Sequence, residues 1–179
     1  MSMNKLVLDS QSIERSIARM AHEILEKNKG TAGLALVGIQ TRGVILAGRL
    51  QKAIEAISKS SCPLGTLDIN LYRDDLTKVS EQPIIRKTEI SFDLDNKTVV
   101  LVDDVLYTGR TIRCALDALI DFGRPKRIEL AVLIDRGHRE LPIRADFVGK
   151  NIPTSEKENV QVKFLEKDSK DEVVVTDGD

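Results

Sequence analysis

A single stretch, residues 99–111, constrains the fold of this chain more than any other. Four branched apolar residues lead into the pair Asp103 and Asp104. An apolar run of this kind is typical of a parallel strand that is buried on both faces. The pair is followed by a Thr-Gly-Arg-Thr turn that precedes a helical pattern. We therefore expect both aspartates to be exposed at the carboxyl edge of an open α/β sheet, where ligands bind such sheets.

The turn at residues 108–111 has the chemistry of a phosphate-binding site. It offers backbone N–H groups at a helix start, two threonine hydroxyls and a glycine that lets a phosphate approach closely. Two adjacent carboxylates can accept hydrogen bonds from a vicinal diol or help to hold Mg²⁺. The chain has neither a Walker A loop nor a dinucleotide-binding Gly-x-Gly-x-x-Gly turn after this strand. The pattern favours a sugar-phosphate site over a solvated aspartate pair in an ordinary strand-turn-helix.

Length and composition indicate one soluble domain. The chain has 179 residues, and neither of its two cysteines belongs to a Cys-x-x-Cys pair. A chain of this size can bury a core without disulfides or a structural metal. No signal-like or membrane-length apolar segment is present, so we expect a cytoplasmic protein that does not bind membranes. Because the formal net charge is only −1, nucleic-acid binding would require a local basic patch.

The periodicity of apolar residues predicts alternating helices and strands. Helices are expected from Asp9 or Ser10 to Gly30, over 45–57 and over 112–120, and strands over 34–39, 67–71, 98–102, 128–134, 160–165 and 173–175. This alternation predicts a mainly parallel sheet flanked by helices within a single domain, 1–179. Residues 73–91 break the periodicity and are expected to form a long surface loop. Residues 135–155 are expected to be irregular and polar.

The stretch 99–111 resembles the phosphoribosyl-pyrophosphate motif of type I phosphoribosyltransferases. The rest of the chain is similar to the bacterial pyrimidine-operon attenuation regulators, which combine mRNA binding with uracil phosphoribosyltransferase activity. This second resemblance is carried by the runs at 37–43, 71–76 and 135–155. It implies a type I phosphoribosyltransferase-like α/β fold with a mobile loop at about 73–91 and a small hood at about 135–155.

The resemblance implies a role for each part of the motif. Asp103 and Asp104 would contact the ribose hydroxyls and contribute to catalysis, while the turn that follows would hold the 5-phosphate. The ribose and phosphate contacts implied in this way are Asp103, Asp104, Val105, Leu106, Tyr107, Thr108, Gly109, Arg110 and Thr111.

Other segments are implied to bind the diphosphate, the metal and the base. Thr41, Arg42 and Gly43 would meet the diphosphate, with Arg42 as a catalytic cationic clamp. Arg73 would begin the loop that closes over it. The Mg²⁺ ligands would be Asp103, Asp104 and Asp135, and uracil would be read by backbone groups near Arg136 and Val160.

A set of basic residues is implied to bind RNA. The outer face of the first helix and the hood carry Arg15, Arg19, His22, Lys27, Arg139, Arg144 and Lys150. A charged outer helix face alone is more often a solvated face. The resemblance implies instead that these surfaces join into a basic concavity for an RNA loop, with phosphate contacts for affinity and unpaired bases for specificity.

The resemblance as a whole implies a bifunctional protein. It would be a Mg²⁺-dependent enzyme that converts uracil and phosphoribosyl pyrophosphate to UMP and pyrophosphate, and a regulator that binds pyrimidine-operon leader mRNA. UMP or UTP would favour RNA binding, GMP or GTP would oppose it at the same site, and the chain would form a homodimer or homotetramer. Two alternatives stay open: a pure nucleobase-salvage phosphoribosyltransferase, and a non-catalytic RNA-binding nucleotide sensor.

Overall fold

A computed structural model describes residues 4–70 and 87–178. Arg73 and most of the loop expected at 73–91 lie outside these residues. The described elements are β1 (Lys5–Leu8), α1 (Ser10–Asn28), β2 (Leu34–Ile39), α2 (Arg42–Ser58), β3 (Leu64–Leu67), β4 (Thr98–Leu106), α3 (Arg110–Ile120), β5 (Arg127–Asp135), β6 (Phe147–Asn151), β7 (Glu158–Lys163), α4 (Leu165–Asp168) and β8 (Glu172–Asp177).

The main sheet has five strands in the order β3-β2-β4-β5-β6. Every pairing in it is parallel. Strand β2 is buried along its whole length, and so is most of β4 and β5. Continuous burial explains why these strands read as unbroken apolar runs in the sequence. The expectation of a mainly parallel sheet flanked by helices is confirmed.

Helices cover both faces of this sheet. Val100 and Val102 of β4 belong to the buried cluster that includes α1 and α2. The alternate residues Val99 and Leu101 belong to the cluster that includes α3. The two clusters follow from the strand period of two, which sends successive side chains to opposite faces. No helix among the described residues is both long and apolar enough to cross a bilayer.

A second, three-stranded sheet has the order β1-β8-β7 and is antiparallel. Its buried residues Val162 and Val173 share one apolar cluster with α1 and α2. The small sheet therefore packs against the same layer as these helices. Strand β1 was not predicted, because Lys5–Leu8 is too short a run to show clear alternation.

Helix α1 agrees closely with the predicted helix. The Asp9 carboxylate accepts a hydrogen bond from the backbone N–H of Ser12 at 2.8 Å, as an N-cap residue does. The helix ends at Asn28, and Lys29 follows it in the left-handed conformation. The predicted boundaries at Asp9 or Ser10 and Gly30 are confirmed to within about two residues.

Three expectations about the strands are wrong. Strand β4 continues to Leu106, since it pairs with β5 as far as Asp135. Asp103 and Asp104 therefore lie inside the strand, and Asp103 is 7% exposed rather than open to solvent. Strand β3 ends at Leu67, where the predicted strand began. Part of 135–155 is regular, because β6 adds to the edge of the main sheet beside β5.

Strand β6 approaches β5 unusually closely at Gly149. A Cβ atom at this position would lie 2.5 Å from the Leu133 carbonyl oxygen. Since real side chains do not approach a backbone oxygen so closely, only glycine fits here without a shift of one strand. Gly48 on α2 is the opposite case, because its Cβ would meet no atom within 4 Å.

We expect Gly149→Ala to lower the free energy of unfolding by about 1–3 kcal/mol, the usual cost of forcing an extra carbon into packed structure. Gly48→Ala is the matched control and should raise it by about 0.5–1 kcal/mol, since alanine favours the helix. Urea unfolding followed by circular dichroism measures both values. Equal effects of the two substitutions would contradict the steric argument.

Candidate functional site

A cavity of about 520 Å³ opens at the carboxyl edge of the main sheet. It lies where β2 and β4 lead into their loops, as expected for an open α/β sheet. The described residues that line it are Ile39, Gln40, Thr41, Arg42, Ile69, Asn70, Asp103, Asp104, Val105, Thr111 and Lys167. The structure thus brings together the two segments predicted to meet the sugar and the diphosphate.

The aspartate pair forms one wall of this cavity. Asp103 is buried, and its Oδ1 accepts a hydrogen bond from the backbone N–H of Asp104 at 2.9 Å. The Asp104 side chain is half-buried. Successive residues on a strand project to opposite sides, and yet both aspartates line the cavity. The cavity therefore meets two successive residues of β4, and both of them carry a carboxylate.

Close backbone packing positions the start of α2 beside this pair. A Cβ on Gly43 would lie 2.5 Å from the Val102 carbonyl oxygen, and one on Gly38 would lie 2.6 Å from the Val44 Cα. Gly43 lets the start of α2 pack tightly against β4, and Gly38 lets the same turn fold back onto β2. The Gln40–Thr41 peptide bond in this turn is cis. Gly43 was predicted to meet the diphosphate, but the space beside its Cα is filled by β4. Thr41 in the same turn lines the cavity.

The Arg42 side chain is held by a carboxylate from a distant segment. Its Nε donates to Asp168 Oδ2 at 3.2 Å, and its Nη2 donates to Asp168 Oδ1 at 2.7 Å. The Arg42 hydrogen bond holds the pKa of the Asp168 carboxyl below its usual range. This side-on pairing fixes the plane of the guanidinium and directs Nη1 away from Asp168. Arg42 therefore lines the cavity in a set orientation.

The predicted phosphate turn is braced by the loop that follows β5. Gly109 has a φ of +92° and leads into α3. The Thr108 carbonyl accepts hydrogen bonds from the backbone N–H groups of Glu140 at 2.9 Å and Leu141 at 3.2 Å. Arg110 is exposed and pairs with Glu140 at 2.6 Å. These contacts hold the turn at the positive end of the α3 dipole, which favours an anion.

Some of the remaining residues of the predicted motif line the cavity, and others are buried in the core. Thr111 and Val105 line the cavity. Leu106 is 1% exposed and packs in the apolar core beneath α3, so its side chain does not contact a ligand in the cavity. The motif thus combines ligand-facing residues with residues that fix the strand end.

Tyr107 and Arg136 form a stacked pair beside the phosphate turn. The Arg136 guanidinium carbon lies 4.0 Å from the Tyr107 ring centroid, and Arg136 is buried. Its backbone N–H donates to the Leu106 carbonyl at 3.1 Å, and its carbonyl accepts from the Thr154 hydroxyl at 3.1 Å. The Arg136 backbone is therefore already engaged. Val160 pairs with β8 and does not line the described cavity.

Asp135 fastens the loop after β5. Its Oδ2 accepts a hydrogen bond from Arg139 Nη2 at 2.5 Å, and its Oδ1 accepts one from the Gly137 N–H at 3.0 Å. Arg139 also donates to the Tyr107 carbonyl at 2.8 Å. Both side chains are thus engaged within the protein. In the part of the chain that the structure describes, no group of three or more metal-ligating side chains occurs.

The basic residues predicted to bind RNA separate into two groups. Arg15, His22, Arg144 and Lys150 are exposed, and Arg15 donates to Gln11 within α1. Arg19, Lys27 and Arg139 contact other elements of the protein, although Arg19 and Lys27 are also exposed. Arg19 donates to the Gly149 carbonyl on β6 at 2.5 Å and to Glu23 at 2.7 Å, which joins α1 to the strand that carries Lys150. Lys27 pairs with Asp146 at 2.7 Å, and this hydrogen bond raises the Lys27 pKa.

Sequence reasoning missed the segment 164–172, which the structure places against α2. Arg49 donates to Glu166 and to Asp171, and its guanidinium lies 4.8 Å from the Phe164 ring centroid. These hydrogen bonds lower the pKa values of Glu166 and Asp171. The signal was the pair Arg42 and Arg49, which are seven residues apart and so share one face of α2. A run of acidic residues late in the chain is the complementary signal.

Comparisons with known proteins agree with this architecture. The family model described as phosphoribosyl transferase domain matches residues 3–167. A protein named bifunctional protein PyrR from Pelotomaculum thermopropionicum is 60% identical over 169 residues, covering 94% of this chain and 93% of that protein. A protein of the same name from Thermus thermophilus is 61% identical over 93% of this chain and 92% of its own length.

Solved structures with the same fold are more distant in sequence. The hypoxanthine phosphoribosyltransferase of Trypanosoma cruzi superposes with a TM-score of 0.72 at 18% identity, covering 98% of this chain and 97% of that one. A hypoxanthine-guanine phosphoribosyltransferase from Bacillus anthracis gives 0.70 at 18% identity over 98% and 99%. The type I phosphoribosyltransferase-like fold expected from the sequence is confirmed.

The ion pairs of Arg49 predict how stability depends on pH. The lowered pKa values of Glu166 and Asp171 mean that their pairing stabilises the fold above the unfolded pKa of about 4 and is lost as pH falls through the folded pKa. We expect Arg49→Gln to lower stability at neutral pH by about 1–3 kcal/mol. The variant should also show a smaller loss of stability than the wild type below pH of about 4.

Urea unfolding at a series of pH values tests this expectation. Arg113→Gln is the control, because Arg113 pairs at 3.8 Å with Asp117 on the exposed face of α3. That variant should keep the pH dependence of the wild type. A parallel pH profile for Arg49→Gln would show that the Arg49 pairs do not contribute to acid sensitivity.

Proposed function

This chain belongs to the family of bifunctional PyrR proteins. From that membership we propose which of its described residues carry out each of two activities. It is a uracil phosphoribosyltransferase, which converts uracil and phosphoribosyl pyrophosphate to UMP and pyrophosphate. It is also a regulator that binds pyrimidine-operon leader mRNA and acts by transcription attenuation. The observation that carries the enzymatic proposal is the single cavity that Thr41, Arg42, Asp103, Asp104 and Thr111 line together.

The activated sugar is proposed to lie across the carboxyl end of β4. Asp103 and Asp104 accept hydrogen bonds from the two ribose hydroxyls, since ionised carboxylates are strong acceptors. The 5-phosphate lies at the turn 107–111, where the amino end of α3 favours negative charge. The diphosphate extends toward Thr41 and Arg42, on the far side of the pair.

The reaction breaks the bond between the anomeric carbon and the diphosphate oxygen and forms a bond from that carbon to N1 of uracil. The N1 proton leaves to solvent, and no side chain is assigned as its acceptor. In the transition state the ribose carries positive charge and the leaving group negative charge. The carboxylates beneath the ribose stabilise the first and Arg42 stabilises the second, so catalysis arises from positioning and electrostatics.

A magnesium ion fits the residues that line the cavity. Mg²⁺ is usually bound by one or two carboxylates together with substrate phosphates, and Asp103 and Asp104 supply two such carboxylates there. When bound, the ion neutralises charge on the diphosphate leaving group. The Asp135 carboxylate is already bonded to Arg139 and to the Gly137 N–H. The proposed protein ligands are therefore Asp103 and Asp104.

RNA is proposed to bind along α1 and the neighbouring edge of β6. The support for this proposal is that Arg19 joins the two elements through the Gly149 carbonyl, and that Arg15 and His22 on α1 and Lys150 on β6 are exposed. Exposed cations supply phosphate contacts. Uridine nucleotides in the catalytic cavity would favour the RNA-binding form, and guanosine nucleotides would oppose it.

The cellular location follows from one of the proposed partners. Leader mRNA is made in the bacterial cytoplasm, so we place the protein there. Assembly as a homodimer or homotetramer stays a prediction, which sedimentation equilibrium measures directly.

Replacing both acids of the pair tests the enzymatic proposal. We expect the double variant Asp103→Asn with Asp104→Asn to lose at least about a hundredfold in kcat/KM, because it removes charge that acts on the transition state. Asp117→Asn on the exposed face of α3 is the control and should leave the rate unchanged. Pyrophosphate release is measured with uracil, guanine, hypoxanthine and adenine.

The outcomes separate the alternatives. Turnover of a purine in place of uracil would identify a different salvage enzyme, and turnover of none would identify a nucleotide sensor without catalysis. Full activity of the double variant would remove the basis of the proposed mechanism. Thermal unfolding of each variant confirms that it is folded.

Neutralising one exposed arginine on α1 tests the RNA surface. We expect Arg15→Gln to weaken binding to a leader hairpin and to reduce the slope of log affinity against log salt by about 1, as the loss of one phosphate contact does. Arg113→Gln makes the same charge change on the opposite layer of the sheet and should have no effect. Filter binding at a series of salt concentrations, with and without UMP, measures the affinity and its salt slope. Identical slopes for the two variants would exclude Arg15 from the interface.

A further inference from the structure

A single turn of helix far along the chain reaches the catalytic cavity. Helix α4 has only four residues, Leu165–Asp168, and Lys167 within it lines the cavity with Thr41, Asp103 and Asp104. Lys167 thus comes from the segment that connects β7 to β8 in the small sheet and packs against α2. The cavity therefore has a wall that neither β2 nor β4 supplies.

The two neighbours of Lys167 are both engaged with α2. Asp168 binds the Arg42 guanidinium through two hydrogen bonds, and Glu166 binds Arg49 through two more. The Asp168 carboxylate also accepts from the Phe164 backbone N–H at 2.9 Å. These contacts fix the turn against α2 on either side of Lys167. They hold the base of the Lys167 side chain at the cavity wall.

The charges around the cavity leave Lys167 as a cation available to a ligand. Among the described residues, the charged ones that line the cavity are Arg42, Asp103, Asp104 and Lys167. Arg42 uses two of its nitrogens on Asp168, whose negative charge offsets part of its own. Within the described residues, the Lys167 ammonium makes no hydrogen bond or ion pair with a carboxylate. The Asp168 carboxylate also attracts the Lys167 ammonium, but no donor of this ammonium is committed to it, whereas two nitrogens of Arg42 are. Lys167 therefore keeps its hydrogen-bond donors for an anion in the cavity.

The diphosphate group is the part of the substrate that most needs such a cation. The 5-phosphate is held at the turn 107–111 on the far side of the aspartate pair, and the ribose hydroxyls face the aspartates themselves. Lys167 precedes Asp168, which binds Arg42 at the start of α2, and the diphosphate is proposed to lie beside Arg42. An ammonium group is a strong partner for phosphate oxygens.

We propose that Lys167 binds the diphosphate of phosphoribosyl pyrophosphate, and that Asp168 positions Arg42 for the same group. The inference rests on the proposed function, because it names a further binding residue within that site. The small sheet thereby contributes directly to the diphosphate subsite through α4. UMP lacks the diphosphate and does not reach Lys167.

This difference between substrate and product provides the test. Calorimetry measures the Kd of wild type and variants for Mg²⁺-pyrophosphate and for UMP, and initial rates give the KM for phosphoribosyl pyrophosphate. We expect Lys167→Ala to weaken pyrophosphate binding and raise this KM by about tenfold, the effect of losing one charge-assisted hydrogen bond. Its Kd for UMP should stay within about twofold of wild type.

Two further variants make the result specific. Lys167→Arg retains the charge and should restore most of the pyrophosphate affinity. Lys126→Ala removes an exposed lysine from the loop before β5 and should behave as wild type with both ligands. Asp168→Asn frees Arg42 and should raise the KM for phosphoribosyl pyrophosphate while leaving the Kd for UMP unchanged.

Several outcomes would overturn the inference. Wild-type pyrophosphate affinity in Lys167→Ala would show that the ammonium makes no contact with the diphosphate. Equal losses for UMP and pyrophosphate would show a structural role for the turn in place of a binding one. Wild-type protein that binds neither ligand would overturn the proposed function itself, and the inference with it.

Discussion

The site depends on how closely the first turn of α2 approaches strand β4. With glycine at 43, the backbone of this turn lies against the Val102 carbonyl, at a separation that no Cβ would permit. Because β4 carries the aspartate pair immediately after Val102, the contact sets the distance between the cationic turn and the two carboxylates. Gly38 at the end of β2 allows the same turn to fold back over the sheet. The cavity is thus defined mainly by backbone packing, and side chains add its chemistry.

A second constraint links this region to the small sheet. Arg42 and Arg49 extend from one face of α2 and bind carboxylates that lie between β7 and β8. Each guanidinium makes paired hydrogen bonds, which restrict rotation more than a single contact does. The small sheet also shares its apolar core with α1 and α2. Cavity and small sheet therefore behave as one packed unit, and the acidic residues near the chain's end belong to the architecture of the site.

The sequence predicted the central elements well because their signals are local. Buried parallel strands such as Leu34–Ile39 are continuous apolar runs, and α1 has both a capping aspartate and a helical stripe. The carboxylate pair and the turn after it were recognisable for the same reason. The errors arose where long-range pairing decides the outcome. Strand β4 extends through two aspartates because β5 pairs with it there. Residues 147–151 form strand β6 because their backbone pairs with the free edge of β5. Likewise Lys167 and Asp168 join the site only through tertiary contacts that no spacing reveals.

The small sheet joins distant parts of the chain, since β1 pairs with β8 through Lys5 and Val175. During synthesis on a ribosome, β1 emerges before the other described strands and has no partner until β8 has been translated. The main sheet can form earlier, because its strands lie between these two. Completion of the small sheet, and with it the seating of α4 against α2, is therefore a late step in maturation. A truncated nascent chain would retain the parallel core and lack a finished catalytic pocket.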